Sequence, residues 1–271
     1  MNDLARLKDA TRWMWALGDY SEIARYLEPH AEVLATDAGI GPGQSVLDVA
    51  AGNGNFAIAA ARRGASVTAT DITPRMIELG HERTAEQGLE IDWREADAED
   101  LPFADASFDV VGSVFGAMFA PQPDRVVAEF FRVVKPGGVV AMANDAANGF
   151  LARMSDLMQK YSLAPPGGVD VPSPFAWGNL DVVRRRFQGR TSSIRVEPRT
   201  VSFTFSSLEE GMSFWTRTNP PFIALERLLP PEKYHDLVSE ATELMSQLNR
   251  KPDGSVTLDS EYLSLVARAV R

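Results

Sequence analysis

At 271 residues, with 45% apolar and 24% charged residues, the chain has a globular composition and room for a sizeable core. A net charge of −10, with Arg184-Arg185-Arg186 as the densest basic run, argues against a nucleic-acid partner, which requires a basic footprint. The absence of cysteine excludes disulfides, thiolate zinc sites and cysteine nucleophiles, and no apolar run approaches the ~18–20 residues of a membrane span.

Residues 1–38 predict helices, with Gly18 and Pro29 as interruptions, and form an expected N-terminal helical cap. The N-terminus lacks the apolar region of a signal peptide, so the expected setting is cytoplasmic. Gly39-Ile40-Gly41-Pro42-Gly43 breaks the pattern, and a core spanning 39–145 follows. It predicts strands at 45–49, 66–70, 90–95, 108–114 and 138–144, with helices at 54–62, 74–87 and 122–133. Such alternation implies an α/β architecture with a doubly wound, mainly parallel sheet. Residues 146–180 predict a lid, built from a helix at 150–161 and a Pro/Gly loop, Ala164-Pro165-Pro166-Gly167-Gly168. Residues 181–206 complete the core with a helix over 180–187 and one bent strand broken at Pro198. Residues 207–250 predict a helical insertion over the site, split at Asn219-Pro220-Pro221 and Pro230-Pro231, and 251–271 carry a final strand over Tyr262–Ala267.

The first strand and its turn carry the chemistry: Val46-Leu47-Asp48-Val49-Ala50-Ala51-Gly52-Asn53-Gly54. A short apolar run bounded by turn signals is a strand covered on both faces. Gly52 and Gly54 permit a sharp bend and leave no side chain between backbone and ligand. The helix that follows offers free N–H groups to an anion. A dinucleotide and another nucleotide-type cofactor both fit this outline, and Asp71, at the end of the second strand, would face a ribose in either. Asp48 discriminates, because a carboxylate repels a pyrophosphate and attracts an ammonium group.

Five segments in order extend the pattern: Leu47–Gly54, Asp71-Ile72-Thr73-Pro74-Arg75-Met76, Ala96–Phe103, Ser107-Phe108-Asp109-Val110-Val111 and Val134-Lys135-Pro136-Gly137-Gly138. Across roughly 40–145 the chain resembles the class I S-adenosylmethionine-dependent methyltransferases, and most of all their ubiquinone/menaquinone-biosynthesis-like small-molecule branch. The resemblance implies a Rossmann-like sheet of seven strands whose last strand is antiparallel, and S-adenosyl-L-methionine as cofactor. It implies that Ala50, Gly52 and Gly54 contact the amino-acid end and that Asp48 balances its ammonium. Asp71 would take the ribose hydroxyls, Ile72 and Met76 would pack on the adenosine, and Asp97 with the Ala98 N–H would hold the adenine edge. The Ser113 carbonyl would face the ammonium and Phe115 would border the cofactor.

Methyl transfer gains mainly from alignment and water exclusion, with a base where the acceptor needs one. Of the three histidines, His30 and His235 are the candidate bases, and His81 reads as a surface residue. Tyr20, Asn144, Phe175, Trp177, Phe214 and Trp215 are the candidate lining of an acceptor pocket, against core packing as the plainer alternative. No metal site is expected. The expected function is methyl transfer to an O, N or C of a small, fairly apolar acceptor by a monomer or homodimer. Two alternatives stand beside it: an NAD-dependent oxidoreductase, disfavoured by Asp48 and by the lack of a downstream Tyr-x-x-x-Lys pair, and an inactive binding module of the same fold.

Overall fold

A computed structural model describes residues 3–162, 171–251 and 253–270. Two helices open the chain, α1 (Asp3–Trp15) and α2 (Tyr20–Asp37). Ile23, Leu27, Ala31 and Leu34 recur at helical spacing and bury one face of α2 against α3 (Asn55–Ala61). Pro29 sits inside α2 without ending it. By contrast α1 buries no residue fully. It is held by the partly buried side chains of Met14 and Trp15 and by polar contacts from Lys8 and Arg12.

The sheet comprises β1 (Ser45–Val49), β2 (Ser66–Asp71), β3 (Asp92–Glu95), β4 (Phe108–Val114), β5 (Val134–Asp145), β6 (Thr191–Phe205) and β7 (Val256–Ala269). Their order is β3-β2-β1-β4-β5-β7-β6. The first five run parallel, and β7 is antiparallel to both β5 and β6, between which it lies. β1 and β4 are central and almost wholly buried, which accounts for their continuous apolar runs. The helices α3, α4 (Pro74–Glu86) and α5 (Pro123–Val133) make the crossovers. α6 (Phe150–Tyr161), α7 (Leu180–Arg186), α8 (Leu208–Thr218), α9 (Pro220–Leu228) and α10 (Pro231–Leu248) complete the molecule. No helix among the described residues is long and apolar enough to cross a membrane.

Three expectations change. β6 runs unbroken through Pro198, paired with Leu263, because it lies at the sheet edge, where a missing N–H is tolerated. β5 starts at Val134 and ends one residue later than expected, at Asp145. β7 spans 14 residues rather than a short stretch, since it pairs with β6 along its whole length. The loop Ala164–Gly168 falls outside the described residues. The helical insertion divides at the expected prolines, with Asn219 capping α9 through its side chain.

Candidate active site

From β1 the sheet grows outward in both directions, to β2 and to β4, so a crevice forms beyond the carboxyl ends of the central strands. The two residues that follow or turn at those ends, Ala50 (φ 53°) and Phe115 (φ 56°), both adopt left-handed backbone. Such non-glycine conformations cost about 1–3 kcal/mol and gather where a site over-determines the backbone. A side chain at Gly116 would begin 2.0 Å from the Ala50 carbonyl oxygen, so the two turns are pressed together.

A cleft of about 730 Å³, mouth included, opens there. Ala50, Gly52, Asp71 and Ile72 form one wall; Met76, Asp97, Ala98 and Phe115 continue it. Asp71 is held from behind: Oδ2 accepts the Gly52 N–H at 2.9 Å and Oδ1 the Thr73 N–H at 2.8 Å. Burial raises its pKa even so. The cap closes the opposite side. Lys8, Thr11 and Trp15 present one face of α1 to the cleft, at the i, i+3, i+7 spacing that could have marked them in the sequence. Lys8 Nζ reaches Asp97 at 2.6 Å and Glu99 at 2.5 Å, and Arg12 Nε donates to the Ile72 carbonyl at 3.2 Å. Glu99, almost wholly buried, also accepts the Gln122 N–H and so ties cap, loop and α5 together.

Three expected cofactor residues lie beneath the cleft rather than on its wall. Asp48 is buried under the glycine turn, where Oδ2 accepts the Ala57 N–H at 2.9 Å and caps α3. Its Oδ1 has no partner among the described residues, and burial pushes its pKa up to about 8. Gly54, at φ 92°, makes room for Trp93, whose ring a Cβ would meet at 2.8 Å. The Ser113 hydroxyl accepts the Ala117 N–H at 2.9 Å. Gly52 is the glycine that faces the open side, and a Cβ there would stand 3.2 Å from the Tyr20 ring.

Tyr20 belongs to a wall shared with a second, larger chamber of about 1860 Å³, mouth included. Trp15, Phe115 and Phe119 are the other residues common to both. Trp15 meets Tyr20 edge-on at 5.9 Å and Phe119 at 5.3 Å. Of the expected acceptor-side residues, Phe175 and Trp215 line this chamber with Tyr20. Trp177 instead packs on Phe187 and beneath Arg186, Phe214 on Phe205 and Tyr26, and Asn144 is buried away from both spaces. Neither candidate histidine reaches a chamber. His30 lies within hydrogen-bond distance of the Tyr262 hydroxyl, Nδ1 to Oη 2.9 Å, and His235 is exposed on α10. The acid that does line the larger chamber, Asp145, escaped the sequence reading; a lone carboxylate ending an apolar central strand was the available signal.

The methyltransferase-domain family pattern matches residues 47–142. An uncharacterised protein of Mycobacterium tuberculosis is 38% identical over 261 residues, which is 95% of this chain and 93% of its own. The ubiquinone/menaquinone biosynthesis C-methyltransferase of Brucella anthropi is 44% identical over 102 residues, 36% of this chain and 39% of that one. The chain belongs to the class I S-adenosylmethionine-dependent methyltransferases. Solved structures share the methyltransferase fold at low identity. A methyltransferase-type protein of Bacillus halodurans superposes with TM-score 0.61 at 21% identity, covering 89% of this chain and 99% of that one. The Haemonchus contortus phosphoethanolamine N-methyltransferase 2, in complex with phosphomonomethylethanolamine and S-adenosylhomocysteine, gives 0.56 at 20% identity, covering 90% and 53%.

The smaller cleft of this methyltransferase suits its family's cofactor. Asp71 and Asp97 face it, and small Ala50 and Ala98 leave flat space for rings. Lys8 is the one cation on the wall among the described residues, and it is committed to Asp97 and Glu99. A pyrophosphate would find no free counter-charge there, whereas a ligand carrying an ammonium and a sulfonium would be drawn in.

Proposed function

We propose that this methyltransferase binds S-adenosyl-L-methionine in the 730 Å³ cleft and methylates an O, N or C atom of a small, fairly apolar acceptor in the 1860 Å³ chamber. The observation that carries this reading is the wall common to both spaces, formed by Trp15, Tyr20, Phe115 and Phe119. A donor in one space and an acceptor in the other would meet only there.

Bound S-adenosylmethionine supplies an activated methyl group on a positively charged sulfur. Asp71 would hold the ribose hydroxyls, preset by its two backbone N–H contacts. Asp97 and the Ala98 backbone would take the adenine edge, with Lys8 fixing the Asp97 carboxylate. Trp15 and Tyr20, carried by the N-terminal helices, would shut out water and orient the acceptor face-on to the shared wall. With no histidine on either chamber among the described residues, alignment rather than histidine base catalysis would supply most of the rate.

The acceptor chamber presents Met14, Ile23, Leu27, Leu151, Met154 and aromatic rings, which supports an apolar molecule such as a quinol, phenol or indole. The Haemonchus contortus enzyme was captured with a phosphorylated ligand. No lysine, arginine or histidine lines the chamber here among the described residues, so a phosphate would be poorly held. Incubation with methyl-labelled S-adenosylmethionine and a panel of quinols, phenols, indoles and phosphorylated amines tests the assignment. Label transferred to members of the first three groups supports it; turnover confined to the phosphorylated amines contradicts it.

A further inference from the structure

Asp145 closes β5 at the chamber's inner end and is only 4% exposed. Asp145 lines the acceptor chamber, and its Oδ1, shut off from solvent, has no hydrogen-bond partner among the described residues. A carboxylate without a partner is costly to bury, and a structural role would give it one. The backbone beneath it is fixed: a side chain at Gly178 would begin 2.5 Å from the Asp145 carbonyl oxygen and 2.2 Å from Ala146 Cα, so the turn Pro174–Gly178 packs flush against it. The other charged residue on the chamber wall, Asp156, is also acidic. Burial raises the pKa of the Tyr20 phenol, and the nearby carboxyls of Asp71 and Asp145 add to the rise.

We propose that Asp145 is the specificity-determining residue of the acceptor chamber, its carboxyl group receiving an N–H or O–H of an apolar acceptor and turning away anionic ones. Six rings on the same wall, from Trp15, Tyr20, Phe115, Phe119, Phe175 and Trp215, would sandwich the apolar body and favour a cationic amine as readily as a neutral ring. Burial of the carboxyl, which pushes its pKa up to about 7, is what such a partner would relieve. This assignment rests on the methyl-transfer reading of the two chambers.

Three probes share one ring and differ at its end: tryptamine, tryptophol and indole-3-propionate. Each is titrated calorimetrically into the full chain saturated with S-adenosylhomocysteine, and into Asp145→Asn and Asp145→Leu. The expected result is binding of tryptamine or tryptophol at least ten-fold tighter than indole-3-propionate, with that preference abolished in Asp145→Leu. A tryptamine loss in Asp145→Asn exceeding the tryptophol loss identifies an ammonium group; equal losses identify a hydroxyl. S-adenosylhomocysteine affinity in both variants should stay within two-fold of the parent, which also reports a folded protein. Equal or better binding of indole-3-propionate, an undiminished preference in Asp145→Leu, or no binding of either donor probe to the loaded protein overturns the assignment. Failure of S-adenosylhomocysteine itself to bind the parent chain would instead overturn the cofactor reading beneath it.

Discussion

The two chambers that meet at Tyr20 are built by different means. The cofactor cleft is made of backbone: turns after β1 and β4 in left-handed conformation, N–H groups on Asp71, and a glycine facing the open side. The acceptor chamber is made of side chains on helices, chiefly α1, α2 and α6, joined by the segment around Phe175. Backbone demands particular residues, since few types tolerate a positive φ or replace a carboxylate that accepts two N–H groups. Apolar helix faces demand only size and hydrophobicity. The first space is therefore suited to one constant ligand, and the second to an acceptor that differs between relatives of the same fold.

Removing the carboxylate at the heart of the backbone-built side should have the largest effect. Asp71→Ala leaves the Gly52 and Thr73 N–H groups unpaired and would delete the proposed ribose contact, so S-adenosylhomocysteine affinity should fall by about 1–3 kcal/mol, roughly 5- to 150-fold. Calorimetry on the folded variant reads this directly; unchanged affinity would remove Asp71 from the site and blur the contrast between the chambers.

A pH dependence follows from Asp48, whose burial places its folded pKa at about 8 against an ordinary value of 3.8. Between about pH 4 and pH 8 the folded state holds a proton the unfolded chain has released, so stability should decline as pH rises through that window. Asp145 adds to the decline up to about pH 7, while His30, its pKa lowered by burial, acts in the opposite sense near its ordinary 6.5. The difference between the parent and Asp48→Asn isolates the first contribution: melting temperatures from pH 5 to 8 should fall less steeply in the variant. Parallel curves would mean that Asp48 ionises without penalty.

The smallest effect tests the histidines. His235→Ala alters an exposed helical side chain, so stability should move by no more than about 0.5 kcal/mol and methyl transfer should be unchanged. A large loss of turnover with intact cofactor binding would bring α10 into the acceptor chamber.

This division also sets what was legible beforehand. The parallel sheet was readable from strand burial and alternation, and its antiparallel last strand and the cleft residues from Ala50 to Ala98 followed from the family resemblance of the five ordered segments. Asp48 was legible as important, but its attachment to the Ala57 N–H depends on a fold-level proximity that spacing does not reveal. Asn144 and Asp145 show the finer limit. Successive strand residues point to opposite faces, so ending β5 one residue early selected the side chain turned away from the chamber. Trp177, Phe214 and Trp215 look alike in sequence, and only the packing of α8 and the Pro174–Gly178 turn separates the one that lines the chamber from the two that fill the core. The Lys8 contact to Asp97 and Glu99 joins segments about ninety positions apart and carried no local mark beyond its helical face.

The most direct test of the backbone-built cleft is calorimetric titration of the full chain with S-adenosylmethionine, S-adenosylhomocysteine and NAD. The structure predicts saturable binding of the first two in the micromolar range and none of NAD, because Lys8, the one cation on the wall among the described residues, is already paired and leaves a pyrophosphate without a counter-charge. Binding of NAD with neither of the others would contradict the account at its base.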